Sequence, residues 1–216
     1  MQTINGEKPE TMNDLEFAAL LVSRVCHDLV SPVGAVVNGL EVLEDERDAT
    51  MRADALKLVT SSAEQAAARL QFCRIASGAA GSAGAELDLT EVGRIVKGLL
   101  RGGKVEVDWQ AAPLNWPKDW AKLLMNATLL AADALPRGGH VVVQTKGDAT
   151  KPGFIVRATG QNARVLEEVE LATRGEQNVP LDGRSIQGFL TYKLAKVVNA
   201  GLVLSAREGA VELTAG

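Results

Sequence analysis

Histidine and cysteine are scarce, two of each in 216 residues. Cys26 and Cys73 fall at apolar positions of helical patterns, where a free cysteine behaves as a small buried hydrophobe. That leaves too few Cys and His residues for a zinc site of the usual ligand count; a metal carried by a partner is a separate question. An excess of basic charge is also lacking. The net charge of −4 and the pI near 5.3 argue against a nucleic-acid-binding surface and suit protein or small-molecule partners. No apolar run approaches the roughly 20 residues that span a bilayer. The opening stretch MQTINGEKPE has no apolar signal-peptide core, so a cytoplasmic location is expected. What is present is a hydrophobic fraction of 46%, enough to bury a core in one or two domains.

Two halves are patterned differently. Residues 1–12 read as a polar, disordered tail. Thr11, followed three positions later by Asp14, can cap a helix. From Asn13 to about Glu44 the pattern is helical, broken only at Pro32. A second helix is expected from about Ala49 to Ser77, with Leu56, Val59, Ala63, Ala66, Leu70 and Cys73 at alternating spacings of three and four. That is a heptad seam. The short connection near Asp45–Asp48 folds the two into an antiparallel hairpin. Two helices alone make a thin core, so pairing two hairpins into a dimeric four-helix bundle is the economical solution.

The small-residue stretch SGAAGSAGAE ends the hairpin. The expected division is a hairpin over 13–77, a linker over 78–86 and a second unit over 87–216. In the second unit Thr90 caps a helix to Leu100, and Lys104–Trp109 reads as a strand. Pro117 suits the first turn of a helix to about Leu135. Strands are expected at His140–Lys146 and Phe154–Ala158, and helices at Ala163–Arg174 and Ile186–Ala200. A last hairpin, Leu202–Ala206 with Val211–Thr214, turns at Glu208-Gly209. The fold class is α + α/β: a helical hairpin, then an α/β sandwich.

Helical phase singles out His27. At about 100° per residue, Ala18, Val22, Val25, Leu29, Val36, Leu40 and Leu43 cluster opposite it. Glu16, Ser23, Arg24, Ser31, Gly34, Asn38 and Glu41 surround it. His27 therefore points outward, either as a solvated surface residue or as a nucleophile. A neutral imidazole can attack a phosphoryl group if its other nitrogen is held as the proton-bearing one. Asp28 is placed to orient the ring, unless it is an ordinary exposed carboxylate. Arg24, one turn earlier, either offsets phosphoryl charge or pairs with Asp28 across the turn. Gly34 is tolerated for close approach of a partner or for helix packing. Pro32 should bend the helix. Leu20 is an apolar docking candidate on the same stripe; Val30 and Val33 flank it, as docking contacts or edge-of-core residues. His140 reads as a strand-edge residue without chemistry.

The segment VCHDLVSPVGAVVNGLEVL (Val25–Leu43) resembles the phosphoacceptor helix of two-component histidine kinases. There a His is followed by an acidic residue and then, after two positions, a Ser/Thr-Pro pair; His27, Asp28, Ser31 and Pro32 match. Val30 stands where a basic residue is usual. LLMNATLLAADALPRGGHVVVQ (Leu123–Gln144) is similar to the asparagine-rich box of the kinases' ATP-binding (GHKL/Bergerat) domain. Asn126 is kept, but Leu130 replaces the Asn that holds Mg²⁺, and leucine offers no oxygen ligand. Ala158 stands where an Asp would grip adenine, and the glycine-rich lid is reduced to GRSIQGFL (Gly183–Leu190), which cannot wrap phosphates with backbone amides.

An intact acceptor segment on a degenerate ATPase-like domain resembles the alphaproteobacterial histidine phosphotransferases of the ChpT type, over about residue 14 to the end. The match is also specific at SIQGFLTYKLAKVVNAGLVLS (Ser185–Ser205). The resemblance implies a homodimer that takes phosphate from the receiver domain of a hybrid histidine kinase (CckA-like) and passes it to response regulators (CtrA-like and CpdR-like). It implies no cofactor bound by this chain, with Mg²⁺ supplied by the receiver. His27 would be the phosphoacceptor and Asp28 its catalytic partner. Leu20, Arg24, Val30, Ser31, Pro32, Val33, Gly34 and Asn38 would support it or touch the receiver. The alternatives are an active ATP-dependent histidine kinase and a non-catalytic receiver-binding adaptor.

Overall fold

The computed structural model describes residues 13–78, 84–176 and 181–216. Helix α1 (Asp14–Asp45) starts from a capping box: Asn13 Oδ1 accepts from the Glu16 N–H, and the Glu16 carboxylate accepts from the Asn13 N–H. The cap expected at Thr11 is thus at Asn13; Thr11 lies outside the described residues, as do the tail over 1–12 and residues 79–83 of the small-residue stretch. Helix α2 (Ala49–Ala76) is capped by Asp48, whose carboxylate accepts from Thr50 and Met51. Arg52 closes the turn by donating to the carbonyls of Leu43 and Glu46.

The two helices pack as an antiparallel hairpin, and α1 runs unbroken through the buried Pro32. One row of buried and half-buried positions on α2 is Ala55, Val59, Ser62, Ala66, Arg69, Cys73 and Ala76, joined near the C-terminal end by the buried Phe72. This row shares Val59, Ala66 and Cys73 with the expected seam, but Leu56, Ala63 and Leu70 are exposed. The three–four alternation fits both rows, and small side chains decide between them. Gly39 admits α2 so closely that an added Cβ would lie 2.6 Å from Val59 Cγ2. By length and composition, α1 is the one described helix that could cross a membrane. It packs instead along α2, with an Arg24–Asp28 ion pair near its middle.

The second half contains β1 (Glu86–Asp88), α3 (Leu89–Leu100), β2 (Val105–Gln110), β3 (Asn115–Pro117), α4 (Lys118–Asp133), β4 (Gly139–Lys146), β5 (Gly153–Thr159), α5 (Glu167–Arg174), α6 (Ile186–Val197), β6 (Val203–Arg207) and β7 (Ala210–Ala215). The main sheet has the order β2-β4-β5-β7-β6, antiparallel except for β2 beside β4. That parallel pair needs a crossover, which β3 and α4 supply. Val141, Val143, Val156, Ala158, Val211 and Leu213 alternate along β4, β5 and β7 and are wholly buried. Phe72 and Ala76 of α2 join the same core, so the end of the hairpin is anchored in the α/β half.

Several boundaries move. The small β1–β3 sheet was not expected, because three-residue strands carry no readable period. Asp88, not Thr90, caps α3 by accepting from the Thr90 N–H. Pro117 ends β3 and precedes α4. Helix α5 starts at Glu167 rather than Ala163; before it, the N–H groups of Ala163 and Arg164 donate to the carbonyls of Gly160 and Ala134. Helix α6 ends at Val197, where Asn199 at φ 53° reverses the chain.

Candidate functional site

Halfway along α1, His27 presents a side chain that is 86% exposed. Its Nδ1 lies 3.3 Å from Asp28 Oδ1. A carboxylate can only accept, so a hydrogen bond here places the ring proton on Nδ1 and leaves the Nε2 lone pair free. The other oxygen of Asp28 accepts from Arg24 Nε at 2.9 Å. The Arg24 guanidinium goes further, donating through Nη1 to the Gly183 carbonyl at 2.9 Å and through Nη2 to Asp133 Oδ2 at 3.3 Å. Burial works to lower the Arg24 pKa, but Asp133 and then Asp28 outweigh it and hold the group above its ordinary value. Arg24 is therefore not a free cation beside the imidazole. It pairs with Asp28 across the turn and ties α1 to the end of α4.

The remaining candidates separate by exposure. Val30 and Val33 are 71% and 50% exposed, and Ser31 and Asn38 are exposed; none is edge-of-core packing. Leu20 is half-buried. Pro32 is buried and cannot meet a partner surface without rearrangement, which corrects its place among docking contacts. A Cβ on Gly34 would meet nothing within 4 Å, so packing inside the chain does not explain that glycine; Gly39 is the packing glycine. Cys26 is exposed, against expectation, since it lies on the side of α1 that no other element covers. Cys73 is half-buried, and burial followed by the Asp28 charge pushes its thiol up.

The residues that stand in the eroded nucleotide boxes are built into the core. Asn126 is wholly buried. Its amide donates to the carbonyls of Ala76 at 2.9 Å and Lys122 at 2.8 Å, and its oxygen accepts from Gln187 Nε2. Leu130 and Ala158 are buried apolar residues in the core. These residues do not fit a magnesium nucleotide. No group of three or more His, Cys, Asp or Glu among the described residues could hold a metal ion. A cavity of about 290 Å³ lies instead where the hairpin meets the α/β half, bordered by Arg24, Asp28, Cys73, Leu129, Asp133 and Gln187. His140 has an exposed cross-strand partner in Glu106, at 3.3 Å.

Asp133 and Gly183 are the site residues that sequence reasoning missed. Both lie in segments already marked as eroded nucleotide boxes, but their pairing with Arg24 spans 109 and 159 positions and leaves no local signal.

Comparison with known proteins agrees with this geometry. The model of the histidine phosphotransferase C-terminal domain family matches residues 89–210. The chain is 40% identical to the protein phosphotransferase ChpT of Brucella abortus (strain 2308), over 95% of this chain and 96% of the relative. A solved structure of a bacterial phosphotransferase superposes with a TM-score of 0.85 at 36% identity, covering 97% of this chain and all of the other. An exposed histidine on a hairpin, an α/β half whose Asn126, Leu130 and Ala158 are buried in the core, and similarity along nearly the whole length meet in one conclusion: the chain belongs to the histidine phosphotransferase family of phosphorelay proteins.

Proposed function

We propose that His27 is the phosphoacceptor and shuttles a phosphoryl group between receiver-domain aspartates of a hybrid histidine kinase and of response regulators in the cytoplasm. The observation that carries this reading is the outward-facing imidazole with Nδ1 against Asp28. Nε2 attacks the aspartyl phosphate in line; the N–P bond forms as the acyl P–O bond breaks, and the receiver aspartate leaves as carboxylate. The Nδ1 proton stays put and Asp28 steadies the imidazolium-like charge, as positioning and charge compensation govern phosphoryl transfer. Mg²⁺ comes with the receiver. Val30, Val33, Ser31 and Asn38 provide the exposed rim around the nucleophile. Gly34 leaves room for the partner's backbone.

The partner protomer covers the open side of the hairpin. Val22, Val37 and Leu40 of α1 and Leu56 and Leu70 of α2 are each between 47% and 62% exposed, an apolar face that a four-helix bundle would bury. A monomer in solution at micromolar concentration contradicts this part. For the function itself, a phosphorylated receiver is expected to place acid-labile label on His27, and His27→Gln is expected to take up none. Undiminished uptake by His27→Gln would overturn the assignment.

A further inference from the structure

We infer that Asp133, from the end of α4, is a positioning residue for phosphoryl transfer: it holds Arg24 so that Asp28 stays against Nδ1 of His27. The inference rests on the phosphotransferase reading above and extends it to the α/β half. Asp28 borders the 290 Å³ cavity, so packing does not fix its carboxylate; its partners must. Of these, His27 is itself exposed and free to turn, which leaves Arg24. An arginine on a helix surface has many rotamers, but here each guanidinium nitrogen has its own acceptor: Asp28, the Gly183 carbonyl and Asp133. The planar fork is thereby aimed, and Nε is directed at Asp28.

Asp133 supplies the only one of the two anchors beyond Asp28 that carries charge. Its side chain is 47% exposed and lies in the same helix as Asn126, which the core network holds rigid. The chain of contacts Asp133–Arg24–Asp28–His27 thus runs from a fixed helix to the nucleophile. Without the Asp133 charge, Arg24 is held by one carbonyl, Asp28 gains rotamer freedom, and the ring can carry its proton on either nitrogen. A ring with its proton on Nε2 presents no lone pair there.

The test uses the full-length protein labelled with ¹⁵N. Only two histidines are present, so His140→Asn assigns the His27 ring signals unambiguously. At mildly alkaline pH the parent protein is expected to show His27 as the single tautomer protonated on Nδ1. Asp133→Asn keeps the shape and removes the charge; it is expected to give mixed tautomers and a maximal transfer rate about tenfold lower, with receiver affinity held within about twofold. Asp133→Glu is expected to restore part of the rate. Arg24→Lys, which keeps the charge but cannot bridge three acceptors, is expected to behave like Asp133→Asn and covers the case in which that variant folds poorly. An unchanged tautomer and rate in Asp133→Asn would overturn the inference. So would a rate loss fully accounted for by weaker receiver binding, which would make Asp133 a docking contact. Should the parent protein accept no phosphoryl group at all, the function reading fails, while the tautomer measurement still judges the geometry.

Discussion

The hairpin and the α/β half of this chain solve opposite problems. Helix α1 buries only Pro32 and Gly39 of its 32 residues, whereas α4 buries eleven of 16, from Ala121 to Ala132. One element leaves a histidine and an apolar face in the open; the other is enclosed on nearly every side. The contrast is instructive because the second half resembles an ATP-binding domain in sequence. Where that domain would keep polar groups for a nucleotide, this one has Leu130 and Ala158 in its core and an Asn126 that bridges α2, α4 and α6. The apolar residues exposed on the hairpin are covered by no other described element.

The comparison breaks most visibly at Asn126. If the residue is a structural bridge, Asn126→Leu leaves the Gln187 amide and the Ala76 carbonyl buried without partners and should destabilise the fold by about 3 kcal/mol in denaturant titration. A residual ligand-binding asparagine would instead be replaceable at little cost to the unliganded fold.

Two glycines of α1 sharpen it. Gly39→Ala drives a methyl into Val59 and against the Ala55 carbonyl, with an expected loss of about 1–2 kcal/mol. Gly34→Ala meets nothing in the chain and should stabilise α1 by up to about 1 kcal/mol. On the proposed reading it should still slow transfer from the receiver. Equal effects of the two on unfolding would erase the distinction between packed and open faces.

The smallest effect concerns the loop that presents the Gly183 carbonyl. The Asp182 carboxylate accepts from the Ser185 N–H, the Arg184 N–H and the Ser185 hydroxyl, and the backbone bond from Ser185 does most to hold its pKa below the usual carboxylate range. A depressed folded-state pKa stabilises fully above the unfolded carboxylate value, near 4. The contribution disappears as pH falls through the lower folded value. Solvent screens this exposed group, so Asp182→Ala should cost roughly 0.5 kcal/mol near neutrality. The gap from the parent should narrow as pH falls through the lowered folded-state value, in thermal melts followed against pH.

Much of this was legible beforehand because it is local or periodic. The phase of α1 places His27 outward, and the hairpin and central strands follow from spacing and alternation. Ambiguity entered where one pattern fits two faces: Leu56, Ala63 and Leu70 satisfy a heptad as well as Ala55, Ser62 and Ala76 do. Only the close approach at Gly39 selects the second row. The β1–β3 pair was too short to read. The link from Arg24 to Asp133 is a tertiary coincidence of two surfaces, and no local chemistry announces it.

The central claim, that a receiver aspartate and not ATP supplies His27, is tested most directly by offering both donors separately. With equal protein, one sample receives radiolabelled ATP and Mg²⁺, the other a receiver domain already phosphorylated on its aspartate. Rapid transfer of label to His27 from the receiver, and none above background from ATP, is the expected result. Label on His27 from ATP alone, or none from the receiver, would contradict the account.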